Sequence, residues 1–493
     1  MAGKRLFQHH LPVAVATAPE ENSNRPCARR SASTTASLAP DVQRFGSGAN
    51  RVEKIFCGRQ VSEVSFIKRE AVVSDTGTKR AEIGTLVVAT SIVQLANGFF
   101  GTFFSLRVAT ENLDSSGLVL SSYFIGFTFG ALRCSRIIER IGHIRAYAAF
   151  AGLVAAATAV MPLIVGSPAW IVLRAIIGFG CAGIFVTTES WLNAKAQPSE
   201  RGRVFSIYMV GTFLALALGQ LLIARVDIEA AAPFNVIVAL FAAALVMVST
   251  ARAEPPRVSA AAVLPYGVLA RAAPIAVVGC ALSGLIGGAF YALVPAWMQD
   301  RDVERSTIAL FMLAAVLGGF AFQIPVGRLS DRFDRRVVLT VLSLGFAGVA
   351  FLMLLLPRSL PTILPAATLL GGFMSTLYPV CVAHAHDRMP ADRIVAVSGR
   401  LILVSGIGSV IGPLVGASLM ARFEIDGVFY FMAAAALLIA VVGGIRSITT
   451  PAPMRRRAPF EILTPQAGPL AHDPLESSDE PAINIRPHDR TAP

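Results

Sequence analysis

From residue 82 to residue 446 the chain repeats one pattern, an apolar stretch of about 20 residues followed by a short segment that carries charge. A helix rises about 1.5 Å per residue, so each stretch is long enough to cross about 30 Å of hydrocarbon. Twelve membrane-spanning helices are predicted, at 83–106, 117–132, 146–165, 169–193, 204–223, 234–250, 272–296, 306–325, 337–356, 362–385, 394–419 and 428–445. Glycine and proline recur inside them, as at Gly406, Gly408, Gly412 and Pro413. Such residues break helices in water but are tolerated where neighbouring helices pack closely in lipid.

Outside this region the pattern is lost. The first 80 residues hold 13 Lys and Arg against 7 Asp and Glu, and Arg25, Arg29, Arg30, Arg44 and Arg51 interrupt every candidate for a secretory signal. This stretch reads as a disordered cytoplasmic tail or an over-extended start, with an Arg- and Ser-rich organelle transit peptide as the alternative. Residues 451–493 are rich in proline and charge and bury too little apolar surface to fold alone. The expected organisation is a tail over 1–81, six helices over 82–251, a cytoplasmic linker over 252–271, six helices over 272–447 and a second tail over 448–493.

Composition narrows the class. Hydrophobic residues make up 54% and charged residues 15% of the 493, against about 25% charged in soluble domains, so a soluble enzyme is excluded. The net charge of +12 would suggest nucleic acid in a soluble protein. Here the arginines are sided instead. With the N-terminus in the cytoplasm, the inner segments carry 17 basic residues and the outer ones six: Arg107, Arg225, Arg301, Arg305, Arg358 and Arg422. The positive-inside rule therefore places both termini in the cytoplasm and removes the need for a nucleic-acid partner. Cys27, Cys57, Cys134, Cys181, Cys280 and Cys381 have no CxxC spacing, which signals neither a zinc site nor a disulfide framework, and they are expected to be packing residues.

The two halves resemble each other. SRIIERIGHIR at 135–145 follows the second span and GRLSDRFDRR at 327–336 follows the eighth, with Glu139-Arg140 and Asp331-Arg332 192 residues apart. Duplicated six-helix halves imply a binding site at their interface near the bilayer midplane. A carboxylate and several arginines at a helix end can clamp neighbouring helices in one state and release them in another.

With these motifs the chain resembles a major facilitator superfamily transporter over about 82–447. The superfamily pattern G-x-x-x-D-R-x-G-R-R is matched by Gly327, Asp331, Arg332, Arg335 and Arg336, with Asp334 where glycine is usual; Glu139, Arg140, Gly142 and Arg145 form the first copy, with Ser135 for the leading glycine. Arg174, Gly178 and Gly180 fit its R-x-x-x-G-x-G pattern on the fourth span. Its antiporter signature is missing from the fifth span, where Gly219-Gln220 replaces Gly-Pro, and a close version stands on the eleventh, at Gly408, Gly412, Pro413 and Gly416. The run 187–209 is similar to a bacterial branch with largely unassigned substrates. The resemblance implies an all-α fold of twelve transmembrane helices in two pseudo-symmetric bundles, in a bacterial inner membrane.

Arg174 lies inside the fourth span, where an arginine costs about 2.5 kcal/mol or more unless paired or hydrated. It either snorkels to the outer surface or serves as substrate anchor or coupling residue. Glu189 lies fifteen residues further on, about 22 Å along a helix, and is either a gate or an interfacial cap. His384, His386 and Asp387 cluster at the end of the tenth span. An H-x-H spacing turns the imidazoles to different faces, so no metal site is expected, while His384 and Asp387 are candidates for proton handling beside a plain solvated helix end. Gln94 and Asn97 share a face of the first span, as do Gly126 and Gly130 on the second. Spans 1, 2, 4, 5, 7, 8, 10 and 11 line the cavity in the superfamily fold, so the resemblance adds Tyr123, Gln220, Tyr291, Gln323 and Tyr378 as cavity residues, each of which is alternatively an interhelical hydrogen bond.

No phosphate loop, H-E-x-x-H or G-x-S-x-G occurs, so neither ATP hydrolysis nor another enzyme activity is expected. The reading is secondary active transport of a small solute by alternating access, proton-coupled, with no cofactor and with a monomer sufficient. The alternative is a transport-inactive sensor or scaffold that works through its tails.

Overall fold

The computed structural model describes residues 81–113, 115–197, 199–250, 265–357, 359–390, 393–449 and 460. The tails expected at 1–81 and 448–493 lie almost wholly outside them, as do Cys27 and Cys57. Within the described residues there is no strand, and twelve helices are long and apolar enough to cross a bilayer. The first six are α1 (Ala81–Thr110), α2 (Ser116–Ile141), α3 (His143–Val160), α4 (Ser167–Lys195), α5 (Arg201–Gln220) and α6 (Ala232–Ser249). A short α7 (Tyr266–Ala272), inside the expected linker, leads to α8 (Pro274–Asp300), α9 (Arg305–Arg332), α10 (Arg335–Leu355), α11 (Leu360–His386), α12 (Ile394–Arg422) and α13 (Gly427–Thr449).

Several helices run beyond their apolar stretches. The apolar part of α2 was expected to stop at 132, yet the helix continues to Ile141, and α9 continues to Arg332. The charged repeats are therefore mostly helix ends rather than free loops. Backbone groups leaving hydrocarbon still gain from helical hydrogen bonds, and hydropathy marks only the part of a helix that lipid covers.

The same packing recurs in both halves. Helix α2 packs on α4 as α9 packs on α11, and α3 on α6 as α10 on α13. Glycine lets these backbones touch. A Cβ at Gly126 would collide with the Ala175 carbonyl, and one at Gly178 with the Tyr123 carbonyl. Gly318 and Gly371 meet Thr368 and Ala315 in the same way between α9 and α11. Gly98 and Gly219 bring α1 onto α5, while Gly284, Gly408 and Gly412 bring α8 onto α12. The expected packing motif on the eleventh span thus has a partner, α8.

Among the described residues, side-chain contacts between the first six and last six helices run from the middle of the helices to the end opposite Ala81 and Thr449. Phe213 of α5 meets Phe320 of α9 at 5.6 Å between ring centres, in a small cluster with Leu216, Ala217 and Val316. The Ser105 hydroxyl of α1 donates to the Ala292 carbonyl of α8 at 2.6 Å, and Gln299 donates to Thr110 at 3.0 Å. Gly117 of α2 sits against Ala417 and Pro413 of α12.

Gly178→Ala should lower the unfolding midpoint of the detergent-solubilised protein, with a cost of about 1–3 kcal/mol for overpacking. Gly101→Ala, where a Cβ meets nothing within 4 Å, is expected to leave the midpoint in place. Equal midpoints for the two variants would refute the backbone-contact account.

Candidate functional site

A central cavity of about 190 Å³ lies between the two sets of helices, lined by α1, α2, α4, α5, α8, α11 and α12. Of the residues singled out in the sequence, Asn97, Tyr123, Arg174, Gln220, Tyr291 and Tyr378 line it. The close approach of α2 and α4 across Gly126 and Gly178 brings Tyr123 against Arg174.

Arg174 does not snorkel. It is only 6% exposed, and that exposure is onto the cavity. Its guanidinium carbon stands 4.8 Å from the Phe100 ring centre, 4.4 Å from Phe104 and 4.8 Å from Tyr123. Cation–π contacts of this kind replace part of the lost hydration. No ion pair to Arg174 occurs among the described residues, and its Nε has no acceptor. Phe100 and Phe104 were not singled out in the sequence, where they are part of the first apolar span. Their spacing of three and seven from Asn97 is the signal that places all three on one helix face.

Two expected cavity residues do other work. Gln94 is buried and accepts a hydrogen bond from Asn97 at 3.2 Å, with only Asn97 reaching the cavity. Gln323 is also outside it, because Pro379 has no N–H and leaves the Ser375 carbonyl of α11 open, to which Gln323 of α9 donates at 3.3 Å. Helix α9, expected among the lining helices, supplies none of the lining residues described. Gln220, where the antiporter signature would have proline, accepts from Thr102 at 2.6 Å and ties α5 to α1.

The other coupling candidates, Glu189, His384 and Asp387, are not among the residues that line the cavity. Glu189 is fully buried, so it is not an interfacial cap. The Tyr208 hydroxyl bonds to it, and Thr90 and Thr188 pair beside it at 3.0 Å. His143 and Ser190 pair nearby, also at 3.0 Å. His386 meets Ser398 at 2.9 Å, while His384 lies among Asp334, Arg336 and Arg388. The two imidazoles diverge as their spacing predicts.

The two charged repeats differ. In the second, Arg335 is buried and bridges Asp331 at 3.3 Å and Asp387 at 3.2 Å, joining the ends of α9 and α11. Arg336 grips Asp334 at 2.6 Å and donates to the Arg446 carbonyl at 2.7 Å, tying α10 to the end of α13. Asp334, in the usual glycine place, also caps α10 by accepting from the Arg336 backbone N–H at 2.9 Å. Arg332 is exposed at the same end, and Phe460 lies against Gly327. In the first repeat Glu139, Arg140 and Arg145 are exposed and form no ion pair among the described residues, while Gly142 has φ 82° and turns α2 into α3. Only the second clamp is assembled.

The hydrogen bond from Arg336 holds the Asp334 carboxyl below the usual carboxylate range. A lowered folded pKa stabilises above the ordinary value of about 4 and is lost as pH falls through the depressed one. Asp334→Asn should therefore lower the unfolding midpoint at pH 7, and the gap to the parent should close in acid. A gap that stays constant with pH would count against the clamp.

The sequence matches the Major Facilitator Superfamily model over residues 86–322 and 276–475. It is 31% identical over 368 residues to the uncharacterized MFS-type transporter YcaD of Escherichia coli O7:K1, covering 74% of this chain and 95% of that protein. The fold is similar to crystal structures of the nucleoside transporter NupG (TM-score 0.62, 12% identity, 75% of this chain and 100% of that one) and of a D-xylose-proton symporter (TM-score 0.59, 16% identity, 76% and 99%).

Proposed function

We propose that this chain, which belongs to the Major Facilitator Superfamily of transporters, carries a small solute by alternating access and is driven by protons. One observation carries the reading: a central cavity bounded by both sets of six helices, with contacts between the sets reaching from mid-helix to one end. Rocking the halves about that cavity opens it to one side at a time. We place both termini in the cytoplasm from the arginine asymmetry, so the closed end is external and this state is inward-facing. The exposed first clamp fits that state, since its charges have separated from partners they would meet on closure.

Glu189 is the proposed proton carrier. It is a carboxylate fully buried in a membrane helix, and such groups mark proton relays in transporters. The phenolic group of Tyr208 against it suits a carboxyl that gains and loses a proton. His384 and Asp387 belong to the clamp end and act in gating.

Rocking is testable before the solute is known. Spin labels at Ser206 and Leu329, on the inner ends of α5 and α9, should show two separations in liposomes, the shorter one coinciding with a longer separation between labels at Asn112 and Glu424. One fixed separation in each pair would defeat alternating access. For a solute taken up into proteoliposomes, Glu189→Gln is expected to abolish accumulation driven by a pH gradient and to spare exchange between labelled and unlabelled solute. Accumulation equal to the parent would remove Glu189 from coupling.

A further inference from the structure

We propose that the substrate is a small amphiphilic organic anion, its single acidic headgroup bound by Arg174 and its apolar body held between the aromatic walls of the cavity. The inference rests on the transporter reading above and adds the charge and character of the solute. Three observations carry it. Among the described lining residues Arg174 is the one charged side chain at neutral pH; no Asp, Glu, Lys or His shares the wall. It forms no ion pair among the described residues, so none of them supplies a counter-charge. Phe100, Phe104 and Tyr123 cover the guanidinium, yet they offer it no acceptor and its Nε remains without one.

A guanidinium without a counter-charge is satisfied by an oxyanion, whose two oxygens match its planar fork. The solute is the one component that can bring this oxyanion and carry it away. A cationic solute would meet like charge with no carboxylate to offset it.

The rest of the cavity argues against a polyol. A sugar needs many free hydrogen-bonding groups, and much of the polar lining is already engaged within the protein. Asn97 is bonded to Gln94, Thr102 to Gln220, Ser283 to the Cys280 carbonyl, and Ser409 to the carbonyls of Gly284 and Ser405. What remains open is mainly apolar or aromatic, from Phe124, Phe127, Tyr291 and Met374, with the Thr128 and Ser375 hydroxyls as the few polar groups that a hydrogen-bonding edge of the solute could still meet. A flat or short hydrocarbon body with one charged end fits that surface.

The test uses probes of one shape and three charges on the purified, full-length protein. Benzoate and benzenesulfonate should raise its unfolding midpoint, one comparison separating carboxylate from sulfonate preference, while benzamide and benzylammonium require at least about tenfold more ligand for the same shift, a difference of about 1.4 kcal/mol. Arg174→Ala should weaken the anions by about 100-fold, and Arg174→Lys should retain part of the response. Gly287→Leu, which leaves the arginine in place and narrows the cavity, should also lose it, and it decides the matter if Arg174→Ala does not fold. Equal shifts from benzamide or benzylammonium, an anion response that survives in Arg174→Ala, or no shift from any probe in a folded protein would each overturn the proposal. All three leave the transporter reading to the spin-label distances, which do not depend on the solute.

Discussion

Helices in this protein touch backbone to backbone, and little else in the structure would stand without that contact. Hydrocarbon gives apolar side chains no reason to prefer a neighbouring helix over lipid, so association depends on close van der Waals packing. Glycines in α1, α2, α4, α5, α8, α9, α11 and α12 face carbonyl groups of the paired helix at distances that admit no Cβ. Weak C–H···O contacts and dispersion follow from that approach. Each half is thereby made of rigid pairs, and a rigid pair moves as a unit.

Rigid pairs leave few places where the halves can meet. At mid-helix they meet through Phe213 and Phe320, and toward the end opposite Ala81 and Thr449 through the Ser105 hydroxyl and the Ala292 carbonyl. At the other end charge replaces packing. The second repeat is a closed network within its own half, with Arg335 and Arg336 holding four helix ends together. Among the described residues the first repeat has no such network, and Arg136, Glu139, Arg140 and Arg145 are exposed. Duplicated sequence has given two unlike devices, one a standing brace and the other set of charges unengaged in this state.

Between these ends the cavity concentrates its charge in one place. Thr102, Gln220 and Ser409 on the wall spend hydrogen bonds on neighbouring helices, which keeps α1 registered on α5 and α8 on α12. Arg174 is the one charged group among the described lining residues. Its aromatic surroundings fix its position without neutralising it. Glu189, on the same helix, is enclosed by α1 and α5 rather than by the cavity, so the two ionisable groups of α4 occupy separate environments.

The sequence by itself determined the twelve spans, the internal duplication, the superfamily and six of the residues on the wall of the cavity. These are local properties: the apolar length of a segment decides whether lipid can solvate it, and a repeated motif is visible without knowing its partner. Tertiary structure decided the rest. Gln323 has the look of a cavity residue, yet it serves a carbonyl freed by Pro379, 56 residues away in the chain. Asp334 departs from the motif and proves to be a helix cap paired with Arg336. Arg174 had a short path to the surface and turns inward instead, because Gly126 and Gly178 let α2 come close enough for Tyr123 to cover it. Hydropathy sums along one segment, whereas the direction a polar side chain takes is set by which acceptors and rings a distant segment brings within reach.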